Sequence, residues 1–217
     1  MKKIAVIAGT PIDTQMGVGL FEEFDVEVLS FAISSNPTEQ TLFQTSSSAQ
    51  KNAIIERVLD QIKKSACQQV LVYCNSLSGA VDFDTLAKDY QLNIVTPLHV
   101  YRELAMEYHH LAVLGANAQG LAGIEAVMFA SNPQIKLLML SLLPMVEMIE
   151  RQESPQKIAE QFCFGELAQL LEGNQVEAVL LGCTHFPYVA HELAQRTYLP
   201  IINPAQTMLQ KLSLQKK

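Results

Sequence analysis

The most regular feature of the sequence is a series of short apolar runs separated by polar segments. Most runs are continuous and rich in β-branched residues rather than alternating, which is typical of strands covered on both faces of a mostly parallel sheet. Helical periodicity between several of them predicts an α/β fold. The apolar runs are residues 4–8, 26–30, 70–73, 93–96, 111–115, 137–140, 178–182 and 201–203, and the helical segments are 49–64, 83–90, 118–129, 155–172 and 189–198.

Three pairs of these segments repeat at a nearly constant spacing. Residues 4–7 resemble 111–114, residues 70–74 resemble 179–183, and residues 94–97 resemble 201–204, so the offsets are 107, 109 and 107 residues. A shared offset of half the chain predicts two similar lobes. We expect a first lobe of residues 1–97 plus about 205–217, and a second of 98–204. Each should be a mostly parallel sheet flanked by helices, with pseudo-twofold symmetry between the lobes and the active site between them.

Composition and charge narrow the class of protein. Of 217 residues, 49% are hydrophobic and 17% charged, which is typical of a globular protein and excludes a disordered or coiled-coil chain. Fifteen Lys and Arg against twenty-two Asp and Glu give a net charge of −7, which disfavours non-specific binding to nucleic acid or an anionic membrane. No apolar run approaches the roughly 20 residues of a membrane span, and no signal-peptide pattern follows Met1. We predict a cytoplasmic protein with neither nucleic-acid nor membrane partners.

Two of the four cysteines occupy matched places in the repeat. Cys74 and Cys183 each follow a predicted strand, where open α/β sheets bind their ligands. A lone cysteine there is usually a small buried hydrophobic residue, but two at matched positions favour a functional pair. A helix N-terminus after each would lower the pKa of the thiol. With no secretory signal all four are expected to be reduced, and Cys67 and Cys163, which lack similar polar companions, are expected to be structural.

Two thiols on opposite sides of a cleft suit one reaction in particular. One thiolate removes a proton from a carbon as general base, and the other thiol returns a proton to the opposite face as general acid. This inverts a stereocentre without a cofactor. The sequence contains neither a complete P-loop nor a complete dinucleotide fingerprint, and no zinc-ligand spacing accompanies the cysteines, so neither a cofactor nor a metal is expected.

Four segments resemble the signatures of the PLP-independent aspartate/glutamate racemase family, nearest to glutamate racemase. They are residues 13–19 (Asp-Thr-Gln-Met-Gly-Val-Gly), 73–76 (Tyr-Cys-Asn-Ser), 144–147 (Pro-Met-Val-Glu) and 180–187 (Leu-Leu-Gly-Cys-Thr-His-Phe-Pro). The resemblance implies an amino-acid substrate, with glutamate favoured and aspartate next. It is also compatible with a homodimer.

The resemblance further implies roles for individual residues. Cys74 and Cys183 would be the two acid/base residues. Asp13 would assist Cys74, while Glu147 and His185 would assist Cys183. The carboxylate and ammonium groups of the amino acid would be held by Thr14, Asn75, Ser76 and Thr184.

Two segments depart from the family pattern. The Pro-Tyr-Gly substrate loop expected near residues 41–46 is replaced by Thr-Leu-Phe-Gln-Thr-Ser, and a Gly-Thr-x-x-Thr segment is replaced by Gly-Ala-Asn-Ala-Gln at 115–119. Gln44, Asn117 and Gln119 are candidate replacement donors, and each is otherwise an exposed loop amide. Because both segments contact substrate in the family, the resemblance supports the reaction more strongly than it supports L-glutamate as the substrate.

Two alternatives stay open. The same superfamily includes hydantoin racemases, maleate isomerases and arylmalonate decarboxylases, and retention of both cysteines favours racemisation over decarboxylation, which needs a single proton donor. The altered segments also allow a catalytically inactive protein that binds an amino acid.

Overall fold

The computed structural model describes residues 2–212 and 214, and the chain divides into two compact units. One consists of Met1–Val100 with Ala205–Lys217, and the other of Tyr101–Pro204. Each unit contains one four-stranded sheet in which neighbouring strands are parallel. The predicted α/β class is therefore confirmed. Residues 213 and 215–217 of the predicted C-terminal return lie outside the described residues.

The first unit alternates strands and helices. Its elements are β1 (Lys2–Ala8), α1 (Pro11–Gly19), β2 (Val26–Ala32), α2 (Pro37–Thr45), α3 (Ser48–Lys64), β3 (Gln69–Val72), α4 (Asn75–Ala80), α5 (Phe83–Tyr90), β4 (Asn93–Val95), the start of α6 (Pro97–Glu107), and α12 (Ala205–Gln210). The strand order in the sheet is β2-β1-β3-β4. The first strand in the chain is thus central, and β2 and β4 form the edges.

The second unit repeats this arrangement. After the end of α6 come β5 (His110–Gly115), α7 (Ala118–Ser131), β6 (Lys136–Ser141), α8 (Leu143–Glu150), α9 (Pro155–Gln161), α10 (Phe164–Gly173), β7 (Ala178–Gly182), a 3₁₀ turn (Phe186–Val189), α11 (Ala190–Ala194) and β8 (Ile201–Ile202). The strand order β6-β5-β7-β8 is that of the first unit with each strand moved on by four. Topology therefore agrees with the repeat seen in the sequence.

The central strands are buried on both faces, which explains why their sequences do not alternate. Ile4 to Ala8 of β1 have no exposed surface, and all five residues of β7 are buried. The edge strands β2 and β6 are mostly half-buried. Helices on both faces of each sheet remove the need for a polar face. Among the described residues, no helix combines the length and apolar character needed to cross a membrane.

Three helical segments differ from the sequence-based expectation. The single helix expected at 155–172 is two helices, because the backbone of Cys163 adopts a left-handed conformation with φ 48° that an α-helix of L-residues does not continue through. Of the segment 189–198, only Ala190–Ala194 is α-helical. Residues 41–45, expected in a loop, belong to α2. Asn36 caps α2 by accepting from the Glu39 N–H at 3.0 Å, and Pro37 begins it, a start signal with clear physical causes.

Candidate active site

Cys74 lies in the turn between β3 and α4. The buried residues of β3 hold the strand beside the central β1, and Cys74 then becomes the N-cap residue of α4. The Ser78 hydroxyl donates to the carbonyl oxygen of Cys74 at 2.7 Å, which fixes the turn against the first turn of the helix. Only 5% of Cys74 is exposed, so its thiol sits in a restricted, largely dry environment.

Polar groups from three segments approach the Cys74 sulfur. The Ser76 hydroxyl lies 3.5 Å from Sγ, and the Gln40 side-chain amide donates to Sγ at 3.9 Å. The carboxylate of Asp13 accepts a hydrogen bond from the Gly9 N–H at 3.0 Å. The structure therefore gathers Asp13, Ser76 and Cys74, three residues that the resemblance assigns to the site.

Gly9 makes this convergence possible because it has no side chain. A Cβ atom on Gly9 would lie 3.0 Å from Gln40 Cδ, 3.2 Å from Cys74 Sγ and 3.3 Å from Asp13 Oδ2. The sulfur and that carboxylate oxygen both border the same small space, so they are no more than about 6.5 Å apart. Glycine is the residue that allows such close approach of the backbone to functional groups.

The other predicted residues of this unit are also buried. Thr14 is 5% exposed and Asn75 is 4% exposed. The Thr14 hydroxyl donates to the Thr10 carbonyl oxygen at 2.7 Å, one turn back in α1, and Thr10 caps the same helix by accepting from the Asp13 N–H at 3.3 Å. The N-terminal turn of α1 is therefore tightly bonded, which holds the Asp13 carboxylate in place.

Gln40 is a site residue that the sequence did not reveal. Gln40 and Gln44 are 6% and 5% exposed, and both face inward from α2 with Phe43. Gln44 donates to the Ser76 hydroxyl oxygen at 2.7 Å, so the expectation of an exposed loop amide is wrong for Gln44. The available signal was the Asn-Pro start of α2, because a helix there places positions 40 and 44 on one face.

In the second unit, Cys183 directly follows β7. Its Sγ lies 3.7 Å from Nδ1 of His185, and both residues are buried. Gly182 allows the strand to end against its neighbours, since a Cβ there would lie 2.9 Å from both Ile124 Cδ1 and Val113 Cγ1. The predicted pair of thiol and imidazole is thus in contact.

Glu150 completes a line of three groups in this unit. Nε2 of His185 lies 3.0 Å from Oε1 of Glu150, and the side chains are 6% and 14% exposed. Because an ionised carboxylate only accepts, Nε2 carries a hydrogen, and the neutral imidazole presents the Nδ1 lone pair to the sulfur. This arrangement takes a proton from a thiol or returns one to a thiolate, with Glu150 stabilising the imidazolium.

The resemblance assigned this supporting role to Glu147, and the geometry differs. Glu147 lies in α8 with an exposed side chain, and within the described part of the chain its carboxylate forms no hydrogen bond or ion pair. Glu150 is one helical turn further on, so it projects from nearly the same face of α8. Contact with His185 is made by this later glutamate.

The remaining predicted residues of the second unit separate into two environments. Thr184 is 6% exposed and lies between Cys183 and His185. Asn117 is buried because it caps α7, where its side-chain oxygen accepts from the Gly120 N–H at 2.9 Å. Gln119 is exposed in the first turn of α7. Asn117 therefore has a structural role in this unit, and Gln119 is the exposed amide of the two.

All four cysteines are free. Cys67 is buried and donates to the Gln69 carbonyl oxygen at 3.2 Å, and burial raises the pKa of its thiol, as expected of a structural cysteine. Cys163 is exposed. In the described ranges 2–212 and 214, no three His, Cys, Asp or Glu side chains are grouped so as to hold a metal ion.

Comparison with known proteins gives the family. Residues 26–212 match the Asp/Glu/Hydantoin racemase family, and because this is most of the chain, the chain belongs to that family. The resemblance noted in the sequence is confirmed. It is also 22% identical over 143 residues to the glutamate racemase of Limosilactobacillus reuteri strain DSM 20016, covering 64% of this chain and 53% of that protein. The match thus spans about half the length of that curated relative.

Solved structures show the same fold. The glutamate racemase from Francisella tularensis subsp. tularensis SCHU S4, determined with D-glutamate, has a TM-score of 0.74 at 16% identity, covering 96% of this chain and 78% of that one. An aspartate racemase from Picrophilus torridus has a TM-score of 0.69 at 16% identity, covering 100% of this chain and 96% of that one. At these identities the likeness establishes the fold.

Proposed function

We propose that this protein is a cofactor-independent racemase that inverts the α-carbon of an acidic amino acid, with glutamate favoured and aspartate next. Cys74 and Cys183 are its two acid/base residues. One observation carries the proposal: each unit of a racemase-family chain has a buried cysteine directly after an inner strand, and each sulfur has its own polar partners. A cysteine that only filled space would not need them.

The proposed reaction is a pair of proton transfers. The thiolate of one cysteine takes the α-proton, so a C–H bond breaks, an S–H bond forms and the electron pair stays on the α-carbon. The thiol of the other cysteine then protonates that carbon on its opposite face and becomes the thiolate. After one turnover the two sulfurs have exchanged protonation states, and the reverse reaction resets them.

The neighbouring groups have matching tasks in this scheme. The His185 imidazole, 3.7 Å from the Cys183 sulfur, accepts or returns its proton, and Glu150 supports the charged imidazole. Asp13 assists Cys74 from the N-terminal turn of α1. Thr14, Asn75, Ser76 and Thr184 hold the carboxylate and ammonium groups of the amino acid. Burial of these polar side chains supports the assignment, because buried polar groups need partners.

The decisive experiment follows the α-proton by NMR. L- and D-glutamate and L- and D-aspartate are incubated with the protein in D2O, and loss of the α-proton signal is compared with chiral analysis of the same samples. Exchange with inversion is expected for one of the two amino acids. Cys74→Ala and Cys183→Ala should each lower turnover at least about 100-fold, the usual contribution of a general acid or base.

Cys163→Ala is the matched control, because that cysteine is exposed and remote in sequence from both strand ends. It should keep wild-type turnover. Full activity in Cys74→Ala or Cys183→Ala, with the fold retained, would refute the two-cysteine mechanism.

The substrate pocket supports a second candidate within the same family. Residues 37–45 form helix α2 with Gln40 and Gln44 facing inward, in place of the expected substrate loop. Carboxamides donate and accept hydrogen bonds without charge, which also suits a hydantoin ring. A panel that adds hydantoins and maleate separates these substrates. Binding of an amino acid by calorimetry without proton exchange would instead identify a protein that binds and does not turn over.

A further inference from the structure

Two buried glutamines on α2 face the turn that carries Cys74. Gln40 and Gln44 are one helical turn apart and almost fully buried. Glutamine is usually exposed, and an amide removed from water destabilises the fold unless it forms hydrogen bonds. The partners of these two side chains therefore indicate what their burial achieves.

Gln40 is oriented by a residue on its far side. Its Oε1 accepts a hydrogen bond from the Ser34 hydroxyl at 2.9 Å, and its Nε2 donates toward the Cys74 sulfur at 3.9 Å. The oxygen of an amide only accepts and its NH2 only donates. The bond from Ser34 therefore sets which end of the amide faces the sulfur, and that end is the donor.

Gln44 acts on the same sulfur through Ser76. Its Nε2 donates to the Ser76 hydroxyl oxygen at 2.7 Å, and that oxygen lies 3.5 Å from the Cys74 sulfur. A hydroxyl has a single hydrogen. Because Gln44 supplies a hydrogen to the oxygen, the hydrogen of Ser76 can be directed to a sulfur anion. The sulfur thus has two fixed neutral donors.

The charge nearby makes these donors significant. The Asp13 carboxylate lies within about 6.5 Å of the sulfur, and a like charge disfavours an anion. Hydrogen bonds donated to the charged form act in the opposite direction. Cys183 differs, because the group beside its sulfur is an imidazole that itself gains and loses a proton.

We propose that Gln40 is a positioning residue that, with Gln44 acting through Ser76, holds Cys74 as the thiolate in the resting protein. The meaning of this for turnover rests on the proposed function: the resting form is the one in which Cys74 is the base. The charge state of the sulfur, however, is measured without substrate.

The test is the ultraviolet titration of the Cys74 thiolate. Spectra of each variant are recorded against pH with and without Cys74→Ala, and the difference isolates this one sulfur from the other three. In Gln40→Met the midpoint should rise by about one pH unit, the effect of losing one hydrogen bond to a charged group. Gln40→Glu, which puts a carboxylate in place of the donor, should raise it further.

Two further variants complete the design. Ser34→Ala leaves Gln40 in place but frees its amide to rotate, so it should raise the midpoint by a smaller amount, and it keeps the test available if Gln40→Met does not fold. Gln61→Met is the matched control, because Gln61 is an exposed helical glutamine in α3. Its midpoint should equal that of the wild type.

An unchanged midpoint in folded Gln40→Met would overturn the proposal. A lowered midpoint would also overturn it, because the carbonyl oxygen would then face the sulfur. If the wild-type protein turns over no amino acid, the proposed function fails while the shift in midpoint is still measured. The two failures are therefore distinguishable.

Discussion

Replacing Glu150 by glutamine tests the line of Cys183, His185 and Glu150 most directly. The substitution keeps the shape of the side chain and an oxygen acceptor for Nε2 of His185, and it removes only the charge. The pair is 3.0 Å apart and both side chains are largely buried. Any loss of activity therefore reports the stabilisation of the charged imidazole.

The magnitude follows from this geometry. Two unit charges at this separation attract by roughly 5 kcal/mol at an effective dielectric constant of about 20, and desolvation of the pair offsets much of that. A hydrogen bond to a charged group is worth about 1.5–3 kcal/mol against about 0.5–1.5 for a neutral one. The expected net loss of about 1.4–2.8 kcal/mol corresponds to a roughly 10- to 100-fold decrease in kcat/KM.

The assay is racemisation of the substrate identified in D2O, followed in both directions. Enantiomers have equal free energies, so kcat/KM must fall by the same factor from the L and from the D side. Glu147→Gln, one turn earlier on α8, should have a much smaller effect, and Glu160→Gln, at an exposed position of α9, should have none. If Glu147→Gln loses tenfold while Glu150→Gln stays within twofold, the role belongs to Glu147 and the inference from geometry is wrong.

Three other predictions follow from the structure. Gly9→Ala places a Cβ 3.2 Å from the Cys74 sulfur and 3.3 Å from the Asp13 carboxylate, so we expect turnover to fall about tenfold or more with little change in Tm, since an ångström of misplacement has such effects; wild-type kinetics would contradict this. Backbone N–H groups of His110 and His109 lower the pKa of Glu177, so its stabilising effect is present above the ordinary glutamate range and is lost as pH falls through the lowered value. Glu177→Gln should therefore reduce the free energy of unfolding by about 0.5–1 kcal/mol at neutral pH, allowing for screening by solvent, and by much less in acid; urea unfolding giving the same loss at both pH values would refute it. Gly182→Ala should destabilise the fold by about 1–3 kcal/mol because its Cβ would overlap packed atoms 2.9 and 3.0 Å away, whereas Gly165→Ala, with open space around it in α10, should stabilise it by about 0.5–1 kcal/mol; thermal or urea unfolding in which the two variants behave alike would be inconsistent with this packing.

Much of the fold was predictable because its causes are local. Each of the eight apolar runs contains a strand, since a continuous β-branched run has few alternatives once helices cover both faces of a sheet. The near-constant offset of the repeat agrees with the shared strand order of the two sheets. The positions of Cys74 and Cys183 after the inner strands β3 and β7 follow from the same pattern.

The partners of the two sulfurs required the tertiary structure. Glu147 and Glu150 are three residues apart on one helix and project from nearly the same face, so periodicity does not distinguish them; the axial position of α8 relative to His185 does. The break of the predicted 155–172 helix at Cys163 likewise depends on a backbone conformation that apolar periodicity does not encode.

Gln40 shows the division most clearly. By itself the sequence determined that this chain alternates strands and helices in two repeats, and that a cysteine ends an inner strand in each. Only the tertiary structure brought Gln40 to Cys74, 34 residues away, between Ser34 and the sulfur. Strand and helix patterns depend on neighbouring residues, whereas contact between distant side chains depends on how packed elements are placed in space.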